Sequence, residues 1–174
     1  MIGAAGAATL LLSVALLCFK RIDTAAWACA LQALCAAMPL GESAAAVAVL
    51  AFALNGVMLP LALVRMNDGA MPALRHNALL VWAMALALLV VIISVAANIG
   101  AGEIMAAGVS VTLLGVLLAV LRSDTWTPAL GLLSSQNGLV LVAGASPDLS
   151  GMAAFAVAVP LVPGLVLAGM RLRR

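Results

Sequence analysis

Of 174 residues, 67% are hydrophobic and only 8% are charged, with a mean hydropathy of +1.29. Soluble domains carry roughly 25% charge and about half apolar residues, so a water-facing surface is excluded. At about 20 residues per span the chain holds at most seven or eight spans, which leaves no room for a soluble catalytic domain. Its net charge of +2 includes no basic stretch long enough to grip nucleic acid.

Seven apolar segments follow one another, separated by polar punctuation. The first, Ile2–Phe19, has Lys20 and Arg21 behind it rather than before it. It therefore lacks the basic n-region of a signal peptide and predicts an uncleaved span with its N-terminus outside. The second, Thr24–Leu40, is short and carries Gln32. The third, Ser43–Val64, contains Asn55-Gly56 ahead of Pro60, and a turn-rich loop with Asn67-Asp68-Gly69 and Met71-Pro72 follows it. Spans four and five are Ala78–Asn98 and Glu103–Leu121. Span six, Thr127–Ala145, opens on an N-cap threonine followed by proline at the first helical position. Ser146-Pro147-Asp148 breaks the chain before span seven, Leu149–Met170. At 1.5 Å per residue these segments reach about 26–33 Å, close to the hydrocarbon thickness of a bilayer. The residues show no internal repeat.

Charge orders the spans. Lys20 and Arg21 follow span one, Arg65 and Arg75 flank the loop after span three, Arg122 follows span five, and Arg171, Arg173 and Arg174 follow span seven. The opposite loops hold only Glu42, Glu103 and Asp148. Lys and Arg in short loops set orientation, so the basic side is cytoplasmic. The expected fold is an all-α, seven-span transmembrane bundle forming one domain over residues 1–174, with the C-terminus in the cytoplasm of a bacterial inner membrane. Trp27, Trp82 and Trp126 lie near span ends on the basic side and read as interfacial anchors. The arginine tail reads as an anchor to anionic lipid.

No Asp, Glu, Lys or Arg falls mid-span, whereas an intramembrane charge commonly marks a pathway or counter-ion. The interior polar groups are neutral. Ser134-Ser135-Gln136-Asn137-Gly138 sits in the middle of span six, and four such side chains in about one turn cannot all face lipid. Ser134 and Asn137 share a face, while Gln136 points elsewhere. Two readings stay open: interhelical hydrogen bonding with close approach at Gly131, Ser135 and Gly138, or part of a hydrated proton path. Asn55 could face the same interior, and Gln32 reads as one packing hydrogen bond. Pro60 interrupts span three, and Pro160 and Pro163 interrupt span seven, each leaving a carbonyl without its donor. Such prolines either kink a helix or help line an ion site.

Cys18, Cys29 and Cys35 show neither CxxC spacing nor an even count, so neither disulfides nor zinc are indicated. The nine methionines sit at apolar positions and read as packing. A lone His76 in a loop gives haem little support. With no phosphate loop, HExxH or nucleophile–base set, no metal, cofactor or catalytic residue is expected.

The segment Leu130-Gly131-Leu132-Leu133-Ser134-Ser135-Gln136-Asn137-Gly138-Leu139-Val140-Leu141 resembles a helix of hydrogenase-4 component E. That family belongs to formate-hydrogenlyase-type complexes and is related to the small K-type subunit of NADH dehydrogenase and to its counterpart in Mrp-type antiporters. In specific residues the likeness covers about the last third of the chain; elsewhere it is one of hydropathy. The family's acid before Asn-Gly is Gln136 here, and the acids of its next helix give way to a region holding Pro160 and Pro163. The resemblance implies a non-catalytic subunit of a proton-coupled respiratory or hydrogenase-type complex, in contact with lipid and with antiporter-like partners. A small standalone transporter, with a site between spans three and seven, and a membrane-complex assembly factor are the alternatives.

Overall fold

The computed structural model describes residues 2–41, 44–66, 78–98, 100, 102–121 and 127–145, which form helices and no strand. They are α1 (Ile2–Leu16), α2 (Ile22–Gly41), α3 (Ala45–Phe52), a π-helical turn (Ala53–Met58), α4 (Leu59–Met66), α5 (Ala78–Asn98), α6 (Glu103–Leu121) and α7 (Thr127–Ala145). α3, the π-turn and α4 form one continuous rod, so six rods fall within or close to the first six apolar segments of the sequence. Span seven with Pro160 and Pro163 lies outside the described residues. So do Glu42, Arg75, His76, Arg122, Trp126, Asp148 and the arginine tail.

Four rods are long and apolar enough to cross a membrane: Ile22–Gly41, Ala45–Arg65, Val81–Asn98 and Glu103–Leu121. α1 is a shorter apolar helix. It stops at Leu16, three residues before the expected end at Phe19. There Leu17 and Cys18 donate their N–H groups to Val14 and Ala15, three residues back, tightening the chain into a turn. α2 starts two residues earlier than expected, at Ile22, which is wholly buried and draws the first turn inward.

Through the middle of α2, side-chain size separates inside from outside. α2 turns Ala25, Ala26, Cys29, Ala33, Ala36 and Ala37 inward and leaves Trp27, Leu31, Leu34 and Met38 exposed. Small residues inside let backbones approach, and large apolar ones outside suit hydrocarbon, which drives no burial of its own. α5 is the extreme case. It covers only a narrow stripe (Val81, Ala85, Ile92, Ala96) and exposes Met84, Leu86, Val90, Val91, Ile93 and Val95.

Contacts between the rods fix their relative directions. A Cβ at Gly3 would lie 3.4 Å from Glu103 Oε2 and one at Gly6 3.3 Å from Ala107 Cβ, so α1 and α6 are parallel. α2 and α7 are parallel too, with Asn137 against Cys29 and Gly144 against Pro39. α6 and α7 form the most extensive pair and are antiparallel. Lys20, Arg21 and Arg65 consequently gather at one end of the bundle and Glu103 at the other. The Arg21–Asp23 ion pair, 3.1 Å long, is solvent-facing and adds little stability.

Candidate functional site: a neutral polar seam around α7

α7 carries its polar residues through the middle of the bundle. Leu133 through Gly138 are all buried, a run longer than one helical turn, so protein encloses the helix on every side at this level. Unpaired amides and hydroxyls are costly away from water. A helix of this composition is stable only where neighbours supply partners, which is why it is central.

Glycine makes the first neighbour possible. Gly108 and Gly115 on α6 meet Gly138 and Gly131 on α7, and both pairs are seven residues apart in sequence. A Cβ at Gly115 would fall 2.6 Å from the Gly131 carbonyl oxygen, and one at Gly138 2.6 Å from that of Gly108. The backbones therefore touch. Between the glycines, the hydroxyls of two facing residues cross the interface. Ser135 Oγ donates to the Thr112 carbonyl at 2.6 Å, and Thr112 Oγ1 lies 3.3 Å from the Ser135 carbonyl and 2.9 Å from that of Gly108.

The second neighbour is α2, and its Gln32 is the hub. Gln32 Nε2 reaches Ser13 Oγ at 2.5 Å and the Thr9 carbonyl at 3.3 Å on α1, and Ser134 Oγ at 3.1 Å on α7. An amide has two hydrogens, so these acceptors share them. Gln32 Oε1 accepts from Asn137 Nδ2 at 3.1 Å, and that group also donates to the Cys29 carbonyl at 3.2 Å. Thr9 and Ser13 bond back to the carbonyls four residues before them, Ala5 and Thr9. Thr9, Gln32 and Asn137 are wholly buried, and Ser13 and Ser134 nearly so.

Gln32 is thus not a single packing contact but the junction of three helices. Ser134 and Asn137 both face it, Ser135 faces α6, and Gln136 is buried as well. Thr9, Ser13 and Thr112 complete the seam and were not singled out from the sequence. Their signal is weak: Thr9 and Ser13 are hydroxyls four apart in an apolar run, which places them on one face.

Asn55 stands apart. It lies within the π-turn, is 1% exposed, and neither of its amide atoms has a hydrogen-bond partner among the described residues. Leu59 N–H bonds to the Leu54 carbonyl, five residues back, and Pro60 has no N–H to give. The helix answers the proline with a π-turn. A Cβ at Gly56 would come within 2.6 Å of the Phe52 ring and 3.3 Å of Ala33 Cβ on α2.

Chemically, the seam donates and accepts hydrogen bonds but holds no Asp, Glu, Lys, Arg or His. Among the described residues these charged groups sit at helix ends: Lys20, Arg21, Asp23, Arg65 and Glu103. Carboxamides and hydroxyls do not take up or release protons in the physiological range, and among the described residues no three His, Cys, Asp or Glu side chains gather to hold a metal. Comparison with models of known families, with curated proteins and with solved structures finds no match.

Proposed function

We propose that this chain is a non-catalytic integral membrane subunit of a proton-coupled respiratory or hydrogenase-type complex, similar to hydrogenase-4 component E and packed against larger antiporter-like subunits. The observation that carries the reading is the character of the α7 seam. Its side chains are neutral, and those around Gln32 are spent on joining α1, α2 and α7, as suits a scaffold rather than a carrier of charge. The likeness of residues 130–141 to the family's helix supplies the complex, and Gln136 in place of the family's acid supports a passive role.

The same reading includes seven spans in a bacterial inner membrane, with the N-terminus outside and the cation-bearing end in the cytoplasm. It rests on the three described cations clustering at one end, opposite Glu103. The test is mild-detergent purification of the tagged chain from its native membrane. Antiporter-like or quinone-reductase-like membrane subunits are expected at fixed stoichiometry, and recovery as a stable lone chain would overturn the proposal. In such a complex Gln136→Glu leaves proton-coupled activity unchanged; a rise would reveal a working route through α7.

One observation favours a second reading, a small transporter: the buried amide of Asn55 in an interrupted helix. That reading requires substrate-dependent flux in proteoliposomes holding this chain alone, and loss of the flux in Asn55→Leu.

A further inference from the structure

We infer that the π-turn is a hydration site, where the Asn55 carboxamide holds ordered water against backbone opened ahead of Pro60. Asn55 is 1% exposed, and both Nδ2 and Oδ1 lack partners among the described residues. Buried carboxamides in folded proteins are almost always satisfied, by protein or by water.

The backbone beside Asn55 adds to the demand. Residue 60 should donate to the carbonyl four or five positions back, Gly56 in α register or Asn55 in π register, and a proline donates to neither. Leu59 is already committed to Leu54. Side chain and main chain thus leave polar capacity within one turn, the kind of site at which water re-satisfies a broken membrane helix. The π-turn packs on α2 and touches α7, where Asn137 Oδ1 is likewise without a partner among the described residues.

The ligand class follows from the atoms. A bare cation would use Oδ1 and be repelled by the Nδ2 hydrogens beside it. An anion would do the reverse. Only a neutral molecule that both donates and accepts satisfies the whole carboxamide, and water is the smallest. A cleft of about 70 Å³ lies alongside, lined by Gly56, Val57, Pro60 and Trp27 among others, against the ~10–15 Å³ that one water needs. Its walls are apolar and Asn55 is not among them, so the cleft is a neighbour of the site and not the site itself.

Gln32 is the internal contrast. It is as deeply buried as Asn55, but its Nε2 and Oε1 both have partners. Water-edited solid-state NMR on isotope-labelled full-length protein in lipid bilayers separates the two. Magnetisation from water should reach Asn55 Nδ2 several-fold faster than Gln32 Nε2. Equal, slow build-up at both would overturn the inference. In Asn55→Ser, which keeps a group able to bond water, the Gly56 backbone amide should retain its water contact, and in Asn55→Leu it should lose it. Retention in the leucine variant would show that Asn55 does not hold the water, again overturning the inference. The wild-type comparison needs no variant to fold.

Discussion

Gln32→Leu removes the junction of α1, α2 and α7 while nearly preserving side-chain volume. The wild-type amide shares two hydrogens among Thr9, Ser13 and Ser134 and accepts one from Asn137, all on other helices. Interhelical hydrogen bonds in membranes average about 0.6 kcal/mol each, with a maximum near 1.7, so three of them amount to about 2 kcal/mol. Leucine recovers little of this, because Asn137 and Ser134 stay buried with fewer partners. Asn137 keeps the Cys29 carbonyl and Ser13 keeps the Thr9 carbonyl, which limits the loss. Reversible unfolding in lipid bicelles, read by steric trapping, should show Gln32→Leu less stable by about 2 kcal/mol. In a double-mutant cycle with Asn137→Leu, the coupling should be about 0.6–1.7 kcal/mol. Unchanged stability together with zero coupling would refute the reasoning, because Gln32 and Asn137 would then not be bonded in the bilayer.

Gly115→Ala should lower the thermal midpoint in detergent, at a cost of about 1–3 kcal/mol for an overpacked contact, since its Cβ would press on the Gly131 carbonyl at 2.6 Å. Gly41→Ala, with nothing within 4 Å, is the control and should not lower the midpoint, since alanine also favours the helix. Cys18 is exposed and Cys29 buried, so brief maleimide treatment of the folded protein should modify the first and spare the second. Peptide mass spectrometry reads the difference, and denaturation should make both reactive.

Much of the helical layout was legible because its punctuation is local. α5, α6 and α7 run between the residues that apolar runs and flanking polar groups mark out, Ala78–Asn98, Glu103–Leu121 and Thr127–Ala145. The close approach at Gly131 and Gly138 was half legible: small residues beside hydroxyls suggest it, but the same residues also fit a hydrated path, and only the matching glycines on α6 show the contact. The matching glycines Gly108 and Gly115 on α6 share the seven-residue spacing and could have been read as their counterparts. The π-turn was not legible. Pro60 announces an interrupted helix, but whether the backbone answers with a kink or an inserted residue depends on packing against Ala33 and Phe52. Nor was the role of Gln32, because a single glutamine in an apolar run looks alike whether it has one partner or four. Which it has depends on α2 lying between α1 and α7, a tertiary fact with no local trace.

Topology labelling in sealed inside-out and right-side-out vesicles tests most directly the proposal that the chain's cations collect on the cytoplasmic face. Cys18, at the end that carries Lys20, Arg21 and Arg65, should react with a membrane-impermeant thiol reagent only from the cytoplasmic side. A cysteine placed at Gly100, in the exposed turn before α6, should react only from the opposite side in a background lacking the native cysteines. Labelling of both positions from the same side would contradict this arrangement and the orientation drawn from it.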